Sequence, residues 1–333
     1  MFNFKFRGMV VLILLLIFLT IPACKKEKVR KQEDVKEKII VAYNTWVGYG
    51  PMFISKNKGY YEEEGLEVEF RLMEDSGSKG VALKTGQIQI LATTVDSFII
   101  QASQGVKGKI FLGADQSNGG DGIVAVKDVK SLKDLKGRKL GVQPGFVGHF
   151  FLLYLLNELG METKDIEIIP LETGDAGAAF VAGKIDAAVT WEPWLSKAKE
   201  KPGAHVLVTS KEKPGIITDV FVATDDWLND PNKRKILKGF VNAWDKGVRY
   251  YREHQEDAVT IIAESFSLSK EEATKMLSGV ILMGLSESRE YFGTPENPGK
   301  IYDVSKVGQK VWFEEGIIKN PITHNIITSE LLK

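Results

Sequence analysis

The amino-acid sequence predicts an α/β fold of two similar lobes, each with a mainly parallel sheet, joined by two hinge strands. Three observations support this prediction. Strand-like and helix-like segments alternate through residues 38–189, the pattern occurs twice, and an apolar extended run lies on either side of the second copy. Such alternation is typical of α/β proteins with parallel strands.

Each copy contains three predicted strands and two predicted helices, assigned from the period of the apolar residues. The first copy has strands over residues 38–43, 66–71 and 88–92, and helices over residues 51–64 and 78–85. The second copy has strands over residues 139–142, 166–170 and 185–189, and helices over residues 148–160 and 175–182. The glycines that follow the helices are plausible stop signals.

The two copies also match in sequence. Residues 80–88 (GVALKTGQI) correspond to residues 177–185 (GAAFVAGKI), and each segment leads into a short strand with a threonine near its end, Thr93 or Thr190. Coincidence is the alternative, because glycine is common at helix ends. We interpret the match as an internal repeat, which predicts two lobes that face each other across one cleft.

The second lobe is predicted to be inserted in the first. Residues 122–126 lead into it and residues 216–224 lead out, and we expect these runs to be paired hinge strands. The remaining chain is predicted to be mainly helical, with helices over residues 233–253 and 270–280. The predicted division is residues 39–122 and 219–333 for the first lobe and residues 123–218 for the second.

The N-terminus has the pattern of a secretory signal peptide, predicted over residues 1–23. A short basic stretch precedes an apolar run at residues 9–19, and Cys24 follows small residues. An uncleaved membrane anchor is the alternative, although the apolar run is short for a span. Residues 24–38 are highly charged and predict a flexible tether. A lipid-binding or nucleic-acid-binding patch is disfavoured there because acidic residues are interspersed.

Composition and motifs exclude several functions. The 333 residues carry a formal net charge of zero, which argues against nucleic-acid binding. Cys24 is the only cysteine, so no intramolecular disulfide or cysteine-based metal site can form. No phosphate-binding loop or nucleophile–base pair is visible. We therefore predict a non-enzymatic protein without metal or cofactor, and we expect a monomer.

The predicted cleft lies beyond the carboxyl ends of the strands. Four segments reach this edge, at residues 44–51, 93–97, 143–149 and 190–194. Two of them open helices, whose N-termini favour anions. The candidate ligand-binding residues in these segments are Trp46, Tyr49, Thr94, Asp96, Phe146, His149, Trp191 and Glu192.

Each candidate also has a structural explanation. The tryptophans are equally consistent with packing, Asp96 and Glu192 with helix caps, and His149 with packing or capping. Three further candidates, Asn118, Asp121 and Asp219, lie beside the predicted hinge crossings, where turn formation is the alternative. The four cleft segments contain acids but no Arg or Lys, which favours a ligand with an ammonium, amidine or ureido group.

Several segments resemble the nitrate, sulfonate and taurine class of ABC-importer binding proteins. They are residues 46–55 (WVGYGPMFIS), 59–66 (GYYEEEGL), 132–142 (LKDLKGRKLGV), 183–187 (GKIDA) and 191–194 (WEPW). The resemblance implies the type II periplasmic-binding-protein fold, closure of the lobes on a solute, and permease and ATPase partners. Residues 117–122 are similar to members that bind taurine or urea-like solutes.

The segment around Cys24 resembles a bacterial lipobox, with Pro22 as a departure from the usual pattern. This resemblance implies cleavage after Ala23, acylation of Cys24, and an extracytoplasmic protein anchored to the membrane by lipid. Two other functions stay open. The chain could feed a sensor instead of a transporter, or resemble pyrimidine-synthesis enzymes on the same fold, although those depend on cysteine and histidine chemistry.

Overall fold

The computed structural model describes residues 37–294 and 296–333. Cys24, the predicted signal peptide and nearly all of the predicted tether lie outside the described residues. The first strand begins at Glu37, so the last two residues assigned to the tether belong to the sheet instead. Within the described ranges, every helix is too short or too polar to cross a membrane.

Eleven strands are described. They are β1 Glu37–Tyr43, β2 Leu66–Leu72, β3 Ile90–Thr94, β4 Gly108–Ser117, β5 Asp121–Ala125, β6 Lys139–Val142, β7 Glu167–Pro170, β8 Ala187–Trp191, β9 His205–Thr209, β10 Thr218–Thr224 and β11 Val280–Leu282.

The described α-helices number thirteen. They are α1 Gly50–Asn57, α2 Tyr60–Glu63, α3 Ser76–Lys84, α4 Val95–Ser103, α5 Val147–Glu158, α6 Thr173–Val181, α7 Trp194–Lys199, α8 Asp225–Asn229, α9 Pro231–Glu253, α10 Gln255–Ser265, α11 Lys270–Leu277, α12 Leu285–Phe292 and α13 Lys300–Glu314. The predicted helix over residues 51–64 is two helices, α1 and α2, because Gly59 adopts a left-handed φ of 75° between them.

Two mixed sheets form the cores of two lobes. The first sheet has the strand order β11-β4-β10-β3-β1-β2, and the second has the order β7-β6-β8-β5-β9. Each contains a parallel set of three strands, β2-β1-β3 or β7-β6-β8, extended by antiparallel strands. The predicted parallel strands are thus present, and the added strands make each sheet mixed.

The predicted pairing of the hinge strands is wrong. β5 pairs with β8 and β9 in the second sheet, whereas β10 pairs with β3 and β4 in the first. Each of the two runs belongs to the sheet of its own lobe, because its apolar residues are buried in that sheet and not against the other run. The exact lobe boundaries proposed from the sequence stay predictions.

The internal repeat is present in the structure. Helices α3 and α6 are each nine residues long, and strands β3 and β8 are each five residues long. The registers also correspond, because Ile90 at the start of β3 pairs with Val41, and Ala187 at the start of β8 pairs with Leu140. The repeat therefore brings the ends of β3 and β8 to equivalent positions in the two lobes.

The chain crosses between the sheets at two adjacent places, residues 118–120 and 210–217. The Ser117 and Ser210 hydroxyls lie 2.8 Å apart, and the Gly119 N–H donates to Ser210 Oγ at 2.7 Å. The Ser117 N–H also donates to the Ile217 carbonyl at 3.1 Å. These contacts hold the two crossings side by side, which is the geometry of a two-stranded hinge.

Candidate functional site

A small cavity of about 30 Å³ lies between the lobes, at the carboxyl ends of the parallel strands. We call it the inner cavity. Its walls are Asn44, Trp46, Tyr49, Lys79, Thr93, Thr94, Ser97, Asp121, Phe146, Val147, Trp191, Ile217 and Asp219. Seven of the residues predicted from the sequence are among them: Trp46, Tyr49, Thr94, Asp121, Phe146, Trp191 and Asp219. The ligand edge expected for α/β sheets is therefore where these side chains meet.

Two aspartates stand next to each other on neighbouring strands of the first sheet. Asp219 on β10 is paired directly with Asp115 on β4, so their side chains lie on the same face of the sheet. Tyr49 Oη donates a hydrogen bond to Asp219, and Trp46 Nε1 donates to both Asp115 carboxylate oxygens, at 3.1 and 3.2 Å. Both carboxyl groups are fully or almost fully buried.

Burial raises the pKa of four carboxyl groups at this site, which we call the carboxyl cluster: Asp96, Asp115, Asp121 and Asp219. The pKa of Asp96 rises to about 6, that of Asp121 to about 7 and that of Asp115 to about 8, in each case mainly because burial disfavours the charged form. Burial also raises the pKa of Asp219 well above its usual value, and the charge of Asp115 adds to this effect. A cationic group in the cavity would favour the ionised forms.

Lys79 is a buried cation that the sequence analysis missed. Its side chain is 1% exposed, and Nζ donates to Asn44 Oδ1 at 3.3 Å and to the Ala92 carbonyl at 3.4 Å. Burial lowers its pKa to about 8, and the charge of Asp219 partly opposes that shift. The expectation of a cleft without Arg or Lys is therefore wrong. Lys79 was missed because it lies inside α3, and only the segments at strand ends were considered.

Hydroxyl groups line the wall beside Lys79. Thr94 Oγ1 donates to Ser97 Oγ at 2.9 Å, and Ser97 Oγ donates to Asp96 Oδ2 at 3.3 Å. These residues lie where β3 ends and α4 begins. The ammonium of Lys79, the hydroxyls and the N-terminus of α4 form a set of donors suited to an anion, next to acids suited to a cation.

Aromatic side chains from both lobes cover the polar groups. Phe146 and Trp191 of the second lobe have ring centroids 5.6 Å apart and planes inclined by 32°. Trp46 of the first lobe lies in the same cavity. Apolar cover of this kind excludes water, which strengthens the electrostatic interactions inside.

Four sequence candidates do not line the inner cavity. Glu192 caps its own helix, since its carboxylate accepts from the Ser196 N–H at 3.1 Å and from Ser196 Oγ at 2.6 Å. The ring centroids of His149 and Trp312 lie 5.7 Å apart, and burial lowers the pKa of His149 to about 4. The Asn118 N–H donates to the Gly279 carbonyl at 2.8 Å within the hinge. Asp96, a fourth candidate, lies directly behind the hydroxyls of the wall.

A larger space of about 450 Å³ adjoins the inner cavity, and we call it the outer compartment. Phe146 and Trp191 belong to the walls of both spaces. The other residues around the outer compartment are Thr45, Val47, Glu74, Asp75, Gln143, Glu172, Thr173, Gly174, Pro193, Trp194, Lys197, Phe266, Leu268 and Met276. In the described ranges, no cluster of three or more histidine, cysteine, aspartate or glutamate side chains is arranged to hold a metal ion.

Two hinged α/β lobes with a buried polar cavity between them form an architecture that can close on a small solute. Residues 46–258 match the family described as NMT1/THI5 like, which covers more than half of the chain. The chain belongs to the NMT1/THI5-like family.

Sequence relatives agree with this class. Over 161 residues the chain is 30% identical to a binding protein of Brucella abortus (strain 2308), an alignment that covers 48% of this chain and 49% of the relative. The alignment thus spans about half the length of that relative. The chain is also 29% identical over 209 residues to the taurine-binding periplasmic protein of Escherichia coli (strain K12), covering 62% and 63% of the two chains.

Solved structures share the fold. The periplasmic aliphatic sulphonate binding protein SsuA from Escherichia coli superposes with a TM-score of 0.72 at 19% identity, over 86% of this chain and 90% of that one. The desulfurization enzyme DSZB superposes with a TM-score of 0.61 at 14% identity, over 89% and 97%. At these identities the likeness concerns the fold alone, which evidently accommodates both binding proteins and an enzyme.

Proposed function

We propose that this chain is the solute-binding component of an ABC importer and that it captures a small sulfonate or taurine-like solute between its lobes. The observation that carries the proposal is the presence of a lysine ammonium and two carboxyl groups around one cavity. One buried ammonium, that of Lys79, lies in the same cavity as the carboxyl groups of Asp121 and Asp219. A zwitterion with an ammonium and a sulfonate would satisfy both sets of groups.

The acids, the donors and the aromatic rings of the inner cavity each have a role in this proposal. Asp121 and Asp219 accept hydrogen bonds from the ammonium of the solute, and Tyr49 positions Asp219 through its hydrogen bond. Lys79, Thr94 and Ser97 donate to the sulfonate oxygens. Trp191 and Phe146 of the second lobe cover the solute and exclude water.

The proposed mechanism is closure about the hinge. The inner cavity is small, about 30 Å³, and its walls come from both lobes, so we expect a solute to enter when the lobes separate. A solute that contacts both lobes stabilises the closed form by its higher affinity for that form. The permease of the importer would then distinguish closed, loaded chains from open ones.

The proposal includes an extracytoplasmic location and a lipid on Cys24. The location and the lipid both follow from the importer role and from the signal-like sequence before Cys24. Cells that express the full chain should incorporate a clickable fatty acid into it, and Cys24→Ala should abolish the label. A labelled Cys24→Ala chain would contradict the anchor and leave the binding role intact.

The binding role is tested by calorimetric titration of the full chain with taurine, ethanesulfonate and propylamine. We expect taurine to bind more tightly than either single-charge analogue, because only taurine engages both Lys79 and the aspartates. Asp219→Asn should weaken taurine binding by about tenfold or more, the scale of a lost charged hydrogen bond. Asp226→Asn is the matched control, since Asp226 is exposed and lies just beyond the same strand.

No binding of any sulfonate or amine would contradict the proposed solute class. Turnover is tested in the same samples, because the fold also occurs in a desulfurization enzyme. We expect taurine to be recovered unchanged after prolonged incubation. Release of sulfite would contradict the binding role and favour an enzyme.

A further inference from the structure

The inner cavity and the outer compartment differ in size by more than tenfold. The volumes are about 30 Å³ and about 450 Å³, and only the larger lies within the usual range of small-molecule pockets. Phe146 and Trp191 are shared by both spaces, so a solute that passes these rings occupies both. The outer compartment therefore adjoins the proposed binding site.

Trp194 stands in the outer compartment as a firmly supported aromatic surface. It begins α7, and its side chain packs on α6 where two glycines leave room for it. A methyl group at Gly174 would come within 3.3 Å of the indole ring, and one at Gly177 within 3.2 Å of the Trp194 Cβ. The glycines at these positions allow the tryptophan to pack closely on the helix.

The supported indole nevertheless remains accessible. Trp194 is 38% exposed, whereas Trp191, three residues earlier at the end of β8, is 8% exposed. The Lys197 ammonium lies 5.0 Å from the Trp194 ring centroid, at the end of a flexible side chain. A large, exposed aromatic ring beside a binding cleft is a characteristic of ligand contact, because water otherwise solvates its apolar face at a cost.

The opposite wall of the outer compartment is also apolar. Phe266, Leu268 and Met276 of the first lobe face the aromatic residues of the second lobe across the space. A flat group that enters between these walls would contact an indole on one side and aliphatic and thioether groups on the other. Both lobes would thereby hold it.

We propose that the outer compartment is a stacking subsite, and that the preferred solute carries a planar aromatic ring beyond its charged head group. The charged head occupies the inner cavity, and the ring lies against Trp194 between the lobes. This inference rests on the proposed function and narrows the solute to an aromatic amine-bearing sulfonate. Trp194 then acts as a specificity-determining residue.

The test compares two ligands that differ only in planarity. Calorimetric titration of the full chain with 2-(benzylamino)ethanesulfonate and 2-(cyclohexylmethylamino)ethanesulfonate isolates the contribution of the planar ring, because both ligands keep the taurine head group and carry the ring beyond it. Taurine serves as the reference for the head group. We expect the aromatic ligand to bind about fivefold more tightly than the cyclohexane analogue, the scale of an aromatic pair.

Trp194→Ala should abolish this preference and leave taurine affinity within about twofold. Trp227→Ala is the matched control, because Trp227 also has a lysine near its ring but lies on α8, outside both spaces. A preference that survives in Trp194→Ala, or taurine binding without any preference for the aromatic ring, would overturn the subsite and leave the proposed function standing. Failure of all three ligands to bind would overturn the proposed function, and the subsite with it.

Discussion

The two lobes repeat the same local architecture but present different chemistry to the cleft. In α3 of the first lobe, Lys79 precedes Gly80, whereas in α6 of the second lobe Ala176 precedes Gly177. At the strand ends, β3 finishes with Thr94 and β8 with Trp191. Equivalent backbone positions thus hold a charge and a hydroxyl in one lobe, and a methyl group and an indole in the other.

This difference indicates a division of roles. The first lobe supplies most of the charged groups, Lys79, Asp96, Asp115 and Asp219, whereas the second contributes the Phe146 and Trp191 rings and adds Asp121 beside the hinge. A solute would first be selected by charge on the first lobe and then be covered by the second. Three predictions test this comparison, beginning with the largest effect.

Replacing Lys79, the buried cation of the inner cavity, should have the largest effect. Lys79→Met keeps most of the side-chain volume but removes the ammonium, so taurine affinity should fall by about thirtyfold, in line with about 2 kcal/mol for a charged hydrogen bond. Lys84→Met on the same helix is the control, because Lys84 is exposed. Calorimetric titration of both variants with taurine gives the ratio of their dissociation constants. Equal taurine affinities of Lys79→Met and Lys84→Met would show that the first lobe does not select by charge.

The carboxyl cluster predicts a pH dependence of stability. A buried acid with a raised pKa binds more protons in the folded state than in the unfolded state, so its contribution to stability is lost as the pH rises through the folded pKa. With Asp121 at about 7 and Asp115 at about 8, these two groups should lower the free energy of unfolding by about 2 kcal/mol between pH 6.5 and 8, and the strongly raised pKa of Asp219 should add to the fall. The lowered pKa values of His149 and Lys79 act in the opposite sense and limit this fall.

Urea unfolding at several pH values measures this slope without ligand. Asp121→Asn should reduce the fall and Asp115→Asn should reduce it more, while Asp226→Asn should leave it unchanged. Saturating taurine should also reduce the fall, because its ammonium favours the ionised carboxylates. A ligand-free chain whose stability rises over the same range would contradict the view that the acids are buried without sufficient positive charge.

The smallest effect concerns the paired glycines of the repeat. Alanine favours a helix by about 1 kcal/mol over glycine, but a Cβ would lie 3.0 Å from Gln101 at Gly80 and 3.2 Å from Trp194 at Gly177. We expect both Gly80→Ala and Gly177→Ala to change the free energy of unfolding by less than about 1 kcal/mol. Only Gly177→Ala should alter the binding of aromatic ligands, and equal effects of the two variants on that binding would contradict the support proposed for Trp194.

The repeat could be predicted from the sequence because it depends on local signals. Glycines after helices and β-branched runs gave the positions of α3, α6, β3 and β8 closely. The long strand β4 was not assigned from the sequence. The helix predicted over residues 270–280 ends earlier, at Leu277. Strand β4 lies between α4 and the first hinge crossing, and its apolar run was not separated from the flanking loops.

The candidate site was predicted only in part, and the missing residues share a physical cause. Lys79 reaches the cavity from within a helix, and Asp115, the partner of Asp219, lies on β4, a strand that was not assigned from the sequence. Only the packing of α3 and the pairing of β4 with β10 bring them to the site. The support of Trp194 by glycines on α6 likewise depends on how two helices pack, which sequence spacing does not specify.

The central claim is that one solute is held by both lobes and closes them. Small-angle X-ray scattering of the full chain, with and without saturating taurine, tests it most directly. The account predicts a smaller radius of gyration with taurine, and no such change in Lys79→Met at a taurine concentration that leaves this variant largely unloaded. An unchanged radius of gyration in the wild-type chain, with taurine binding confirmed by calorimetry in the same buffer, would contradict closure of the lobes on the solute.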